Sequence, residues 1–183
     1  CGGMVHALLG NHDLVAARGE TTKWTRGERR RYRQTPQPGA PSAKAGDAFR
    51  GDSELARWLR SRNAIVRIGH SLFVHAGLGP WWPTTTPSAV NATVRAWIAH
   101  WQGRASAPPL ATRWAVGVPG MTRSSRWARG PLWTRAFKAT DGRRRRGAPT
   151  RNRLAAWLDA SGVRRLVLGH APIDGPDILL AHP

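Results

Sequence analysis

The chain has 183 residues, 40% of them apolar, which is enough to bury one core and gives no strong reason to expect two. Lys and Arg number 29 against 10 Asp and Glu, and the formal charge of +19 would draw nucleic acid, anionic membrane or phosphorylated substrates without naming one of them. A single cysteine, Cys1, excludes an intramolecular disulfide and leaves imidazole, amide and carboxylate as ligands for any metal, while no apolar stretch approaches the roughly 20 residues that span a bilayer.

The first apolar run, Met4 to Leu9, stops at Gly10 and predicts a short buried strand opening into a loop. Cys1-Gly2-Gly3 directly before it, with no leader, reads as a cut end. From about Thr21 to Gly51 the sequence is rich in Arg, Thr, Gln, Pro, Gly and Ser without a sustained apolar period, which predicts a long, mobile insertion whose arginines are solvated loop charge. Asp52 or Ser53 can cap a helix with Leu55, Trp58 and Leu59 on one face, ending near Asn63. Ala64 to Ile68 and Ser71 to His75 then predict two strands joined at Gly69-His70. Val90, Val94, Trp97, Ile98 and Trp101 recur at helical spacing over Ser88 to Trp101, the strongest helix signal in the chain. Residues 103 to 147 carry many Pro, Gly and Arg and read mostly as loop. A last helix is predicted from about Thr150 to Ala160, closed by Gly162, followed by a strand to Leu168 and a further short strand over Ile178 to Leu180.

Three motifs share one design, an apolar strand ending in a turn that presents a side chain able to bind metal or move a proton. They are Leu8-Leu9-Gly10-Asn11-His12-Asp13, Leu72-Phe73-Val74-His75-Ala76-Gly77 and Val167-Leu168-Gly169-His170. Strand ends hold ligands rigidly, and adjacent glycines let the backbone approach an ion and its phosphate. Taken in this order, they resemble the signature blocks of the calcineurin-like metallophosphoesterases: G-N-H-[DE], a histidine-glycine block after a strand, and G-H. Trp58 to Asn63 leading through Ile68-Gly69 to Leu78, and Gly130-Pro131-Leu132-Trp133-Thr134-Arg135, resemble the phosphoprotein phosphatase branch and most of all its Shewanella-like group. The likeness covers residues 1 to about 20 and 52 to 80, with islands near 130 and 165, and leaves 21 to 51 uncovered.

By that resemblance Asn11, His75 and His170 would coordinate the second of two divalent ions, with Mn, Fe or Zn as reasonable occupants of such a donor set. His12 would act as general acid, with Asp13 accepting its other ring proton, and Arg135 would steady the phosphoryl oxygens. The implied chemistry is attack on phosphorus by a hydroxide bridging two ions. The family's D-x-H and G-D-x-x-D-R-G blocks, which supply the first ion's ligands, are missing; Gly46-Asp47 and Gly51-Asp52 come after the Asn-His block instead of preceding it and lack the Asp-Arg-Gly ending. Asp13 stands where Glu is usual in the phosphatase branch, Ala76 where Gly is common and Ala171 where Thr is usual. His6, His70, His100 and His182 are given no chemistry.

The fold implied is an α/β/β/α four-layer sandwich of which the chain holds the C-terminal part, as one partial phosphoesterase domain. The function implied is hydrolysis of phosphorylated protein or a small phosphoester, serine/threonine phosphatase-like, with at most the second-metal site in this chain and weak or no activity by itself. The competing reading is a basic nucleic-acid-binding protein or non-catalytic remnant, carried by charge and tryptophans alone. A cytoplasmic location is the expectation.

Overall fold

The computed structural model describes residues 2–35, 37–79, 82, 84–117, 130–134 and 151–170. Within them the chain is mixed α/β. Strands β1 (Ile65–Ile68) and β2 (Ser71–Val74) form an antiparallel hairpin through Gly69-His70, where Gly69 takes φ 57°. Strand β3 (Arg165–Leu168) joins β2 in parallel, with Val74 opposite Leu168, so the sheet order is β1-β2-β3. A parallel partner cannot be reached by a tight turn, and the intervening chain returns through helices.

The sheet has two unlike faces. Ile65, Leu72 and Val74 point into the core together, where helix α4 (Pro87–Trp101) packs on β1. Val66, Phe73, Ile68 and Val167 share the other face, with Ile68 49% and Val167 43% exposed. Helix α4 starts at Thr86, whose side chain accepts from Ala89 N, with Pro87 in the first turn where its missing N–H costs nothing. It buries Val90, Val94, Trp97 and Ile98 as the periodicity predicts, and also Asn91. That amide accepts from Ala64 N and Ile65 N at 2.8 and 3.0 Å and donates to Ile65 O at 2.8 Å, fixing the start of β1 against the helix.

Helix α3 (Glu54–Ser61) is capped by the buried Ser53, which accepts from Ala56 N and donates to Ala48 O. Its inward face is Ala56 and Leu59; Trp58, predicted to point inward, is 44% exposed and stacks against the Arg62 guanidinium. Small Ala56 is what lets Gln102, at the end of α4, reach the α3 backbone and donate to Ala56 O and Phe49 O. Helix α6 (Arg151–Asp159) closes through Gly162 at φ 60°, as its sequence position predicts.

The structure departs from the sequence-based expectations at several places. Met4 to Leu9 does not form a buried strand: Met4 and Val5 are 81% and 92% exposed, and only Leu8 makes a bridge, beside Asn63, with Leu9 N donating to Asn63 O at 2.9 Å. A strand persists only where a neighbour pairs with it, and none of the described strands lies alongside residues 4–7. Gly10 opens helix α1 (Asn11–Ala17), not a loop. The segment 21–51 likewise carries elements its composition did not reveal, helix α2 (Arg26–Gln34) and a 3-10 turn at Ala45–Asp47. Trp24, Tyr32 and Phe49 cluster with ring centroids 4.8 to 5.7 Å apart, while Gly51 N donates to Gln102 O and the backbone at Gly46 lies against that at Gly19. In the 103–147 stretch, a 3-10 helix at Leu110–Ala115 and helix α5 (Gly130–Trp133) interrupt the predicted loop. The proposed strand over Ile178 to Leu180 lies outside the described residues.

Candidate metal centre

The three sequence motifs meet at the ends of β2 and β3 and the first turn of α1. Gly10 is the N-cap of α1, and Asp13 three residues on accepts from Gly10 N at 2.7 Å, so the backbone turns sharply and sets Asn11, buried, at the first helical position. His75 comes directly after the last residue of β2. Its carbonyl accepts from Gly169 N at 2.9 Å, which extends the β2–β3 ladder by one bond and brings His170 alongside. His170 then adopts φ 66°, the sole positive φ of a described non-glycine residue. That left-handed conformation costs on the order of 1 kcal/mol and swings the imidazole back toward His75.

The result is a convergence of donor atoms. His75 Nε2 lies 2.9 Å from Asn11 Oδ1 and 3.0 Å from His170 Nδ1, with the two imidazoles edge-on at 4.9 Å. Hydrogen bonding alone does not satisfy this arrangement. A proton on Nε2 would have to serve two acceptors, and a lone pair there would face the Asn11 oxygen, which has no proton to give. Three lone pairs turned toward one cation remove the conflict, and cis ligands about 2.1 Å from an ion sit about 3 Å from one another, the spacing seen here. The donor set therefore fits a borderline divalent ion of the Mn, Fe or Zn kind.

Burial holds His75 below the ordinary histidine range, because the imidazolium loses hydration; Asp13 opposes this and the nearby charge of His12 adds to it. A neutral His75 is the form that can ligate. Gly10 matters sterically rather than for its φ of −106°: a Cβ built there would lie 3.1 Å from His75 Cε1 and 3.3 Å from Nδ1. The His75 ring is seated against a position that only glycine leaves open.

Of the proposed site residues, Asn11, His75 and His170 come together. His12 lies in the same helical turn as Asn11, exposed, and within electrostatic reach of His75. The expected hydrogen bond from His12 to Asp13 is corrected: among the described residues the Asp13 carboxylate bonds Gly10 N instead. Consecutive helical residues project about 100° apart and do not face each other. Arg135 lies outside the described residues. The segment leading to it is beside the site, since Ala76 N donates to Pro131 O at 2.8 Å and Gly77 N to the same carbonyl at 3.3 Å. Among the described residues no group of three His, Cys, Asp or Glu could hold an ion, so the candidate set depends on the Asn11 amide. Asp47 and Asp52, which the sequence pattern excludes as first-metal ligands, are engaged by Arg50 and by Arg57 and Arg60 respectively. Sequence reasoning missed the seating role of Gly10 and the strained backbone of His170; the available signal was the glycine that precedes Asn11 and His170.

The chain is thus mixed α/β with the candidate side chains gathered at the ends of β2 and β3 and the start of α1, and its fold has known counterparts. The chain is similar to the crystal structure of a cold-active protein-tyrosine phosphatase from a psychrophilic Shewanella species, at TM-score 0.65 and 23% identity, over 93% of this chain and 45% of that one. A single-residue variant of a cold-active protein tyrosine phosphatase aligns at TM-score 0.65 and 24% identity over the same shares, and a structure of such a phosphatase at 1.1 Å aligns at 0.65 and 23% over 93% and 44%. The likeness is one of fold, and the chain spans less than half the length of these structures. No protein-family model matches the sequence, and no curated protein does. Among the described residues no helix is long and apolar enough to cross a membrane.

Proposed function

We propose that the chain is part of a metal-dependent phosphomonoester hydrolase of the calcineurin-like type, supplying one ion's ligands and the proton donor. The carrying observation is the 2.9 and 3.0 Å convergence of Asn11 Oδ1 and His170 Nδ1 on His75 Nε2. Those three atoms would hold the ion. When bound, a divalent ion supplies Lewis acidity toward a phosphoryl oxygen. The chain's own residues do the rest: burial keeps the His75 lone pair available, Gly10 fixes the ring, and His12 on the solvent side of the turn protonates the leaving oxygen.

The substrate class supported by the phosphatase neighbours is a phosphorylated protein side chain. Their names specify tyrosine, whereas the sequence resemblance implies serine or threonine, and the reaction shared by both is phosphomonoester hydrolysis. The four-layer sandwich belongs to the same proposal. It is supported by the second sheet face, where Val66, Phe73, Ile68 and Val167 form an apolar surface of the kind that packs against another layer. Because the D-x-H and G-D-x-x-D-R-G blocks are missing from the sequence, the chain by itself holds one ion and turns over weakly or not at all.

Calorimetric titration of manganese or zinc should show one binding event that disappears in His75→Ala and in His170→Ala. Any p-nitrophenyl phosphate hydrolysis should require the metal and fall by about 100-fold or more in His12→Asn. Absence of metal binding, or binding indifferent to both histidines, overturns the assignment.

A further inference from the structure

Helix α2 places five arginines in nine residues, Arg26, Arg29, Arg30, Arg31 and Arg33. Arg29 is occupied with Thr21 O at 3.2 Å, but among the described residues the side chains of Arg26, Arg30, Arg31 and Arg33 have neither an ion pair nor a hydrogen bond. Glu28, the helix's lone acid, is turned back to accept from Thr25 N at 2.6 Å, which also holds its carboxyl below the ordinary range. It lies on the opposite side of the helix from Arg26, Arg30 and Arg33, which fall at i, i+4 and i+7 on one stripe about 10 Å long. The Trp24, Tyr32 and Phe49 cluster fastens the helix to the body, so these guanidinium groups are presented from a regular element and not from a coil.

At the end of the stripe Arg33 enters the lining of an open cleft of about 760 Å3, with Lys44, Thr21, Ser42 and Asp47. Asp47 is answered inside the protein by Arg50 at 3.5 Å and by the Ser42 hydroxyl, so Arg33 and Lys44 set the sign of the cleft. Stripe and cleft meet at Arg33 to form one cationic track, whose cleft is not lined by Asn11, His75 or His170.

We propose that this track binds the phosphate backbone of single-stranded nucleic acid. Guanidinium forks match phosphate oxygens two at a time. The stripe offers charge and no group that reads a particular side chain, which suits a ligand carrying the same charge on every unit. An acidic peptide carries it only where its sequence dictates. The excess of 19 positive charges over the whole chain steers a long polyanion toward the track. A rigid duplex cannot bend a nucleotide into the cleft, whereas a single strand can splay one.

The test is fluorescence anisotropy of a labelled 20-nucleotide oligothymidylate with the full chain, between 50 and 200 mM salt. The triple variant Arg26→Gln, Arg30→Gln, Arg33→Gln should bind at least 10-fold more weakly and lower the slope of log affinity against log salt by about two, with unchanged far-UV circular dichroism. Arg33→Gln with Lys44→Gln, which leaves the rest of the stripe intact, should lower it by about one to one and a half. A control triple of exposed arginines elsewhere, Arg104→Gln, Arg164→Gln, Arg165→Gln, should cost under threefold. The proposal is overturned if the oligonucleotide does not bind at 50 mM salt, if the control triple weakens binding as much as the stripe triple, or if a glutamate-rich peptide of equal charge competes as well as unlabelled oligonucleotide.

Discussion

Substituting Gly10 by alanine separates the steric seat of the metal centre from the local stability of α1. The added Cβ would lie 3.1, 3.3 and 3.4 Å from His75 Cε1, Nδ1 and Nε2, so the ring has to retreat by a few tenths of an ångström. Metal–ligand distances tolerate about 0.2 Å, and disturbing the groups that orient a ligating histidine typically lowers metal affinity 10- to 100-fold, or about 1.4 to 2.7 kcal/mol. Alanine is also a poorer N-cap than glycine, with an expected stability cost of under about 1 kcal/mol. Gly10→Ser distinguishes the two effects, because serine restores the cap while keeping the Cβ. Calorimetric manganese or zinc titration combined with urea denaturation should show both variants losing metal affinity and only the alanine losing stability. If Gly10→Ala binds metal as the parent does, or if Gly10→Ser recovers affinity together with stability, the His75 ring is not held by that contact and the seating argument fails.

Three further outcomes are expected. Asn91→Ala leaves two buried N–H groups and one carbonyl without the amide that serves them, and should cost about 3 kcal/mol in chemical denaturation; a loss under 1 kcal/mol would show that water replaces the side chain. His75 is held below the ordinary histidine value of about 6.5, so below that pH the unfolded chain binds its proton more readily than the folded one. Without metal, the contribution of His75 to stability is therefore complete above about pH 6.5 and is lost as the pH falls through the lowered value, and His75→Gln should flatten that part of the denaturation profile. Gly46→Ala drives a Cβ into the carbonyl oxygen of Gly19, a backbone atom that cannot swing aside; limited proteolysis should cut within residues 21–51 faster than in the parent, and equal rates would mean the contact is dispensable.

Local signals in the sequence determined helices α3, α4 and α6 and the hairpin. The i, i+3, i+4 spacing of α4, the Ser53 cap of α3, the Gly162 stop of α6 and the Gly69-His70 turn each act between residues a few positions apart, where propensity and periodicity are sufficient. The residue types of the candidate centre were legible for the same reason, since Gly-Asn-His-Asp, His-Ala-Gly and Gly-His are each contiguous. Only tertiary structure decided whether those residues meet. The three donor atoms come from positions 64 and 95 residues apart and converge because β3 pairs in parallel with β2, Leu9 bonds to Asn63, and His170 accepts a left-handed backbone. Tertiary context likewise left Met4 and Val5 exposed and buried Asn91 within an apolar stripe. Burial and pairing depend on what lies opposite in space, and a single sequence encodes that only through the fold it completes.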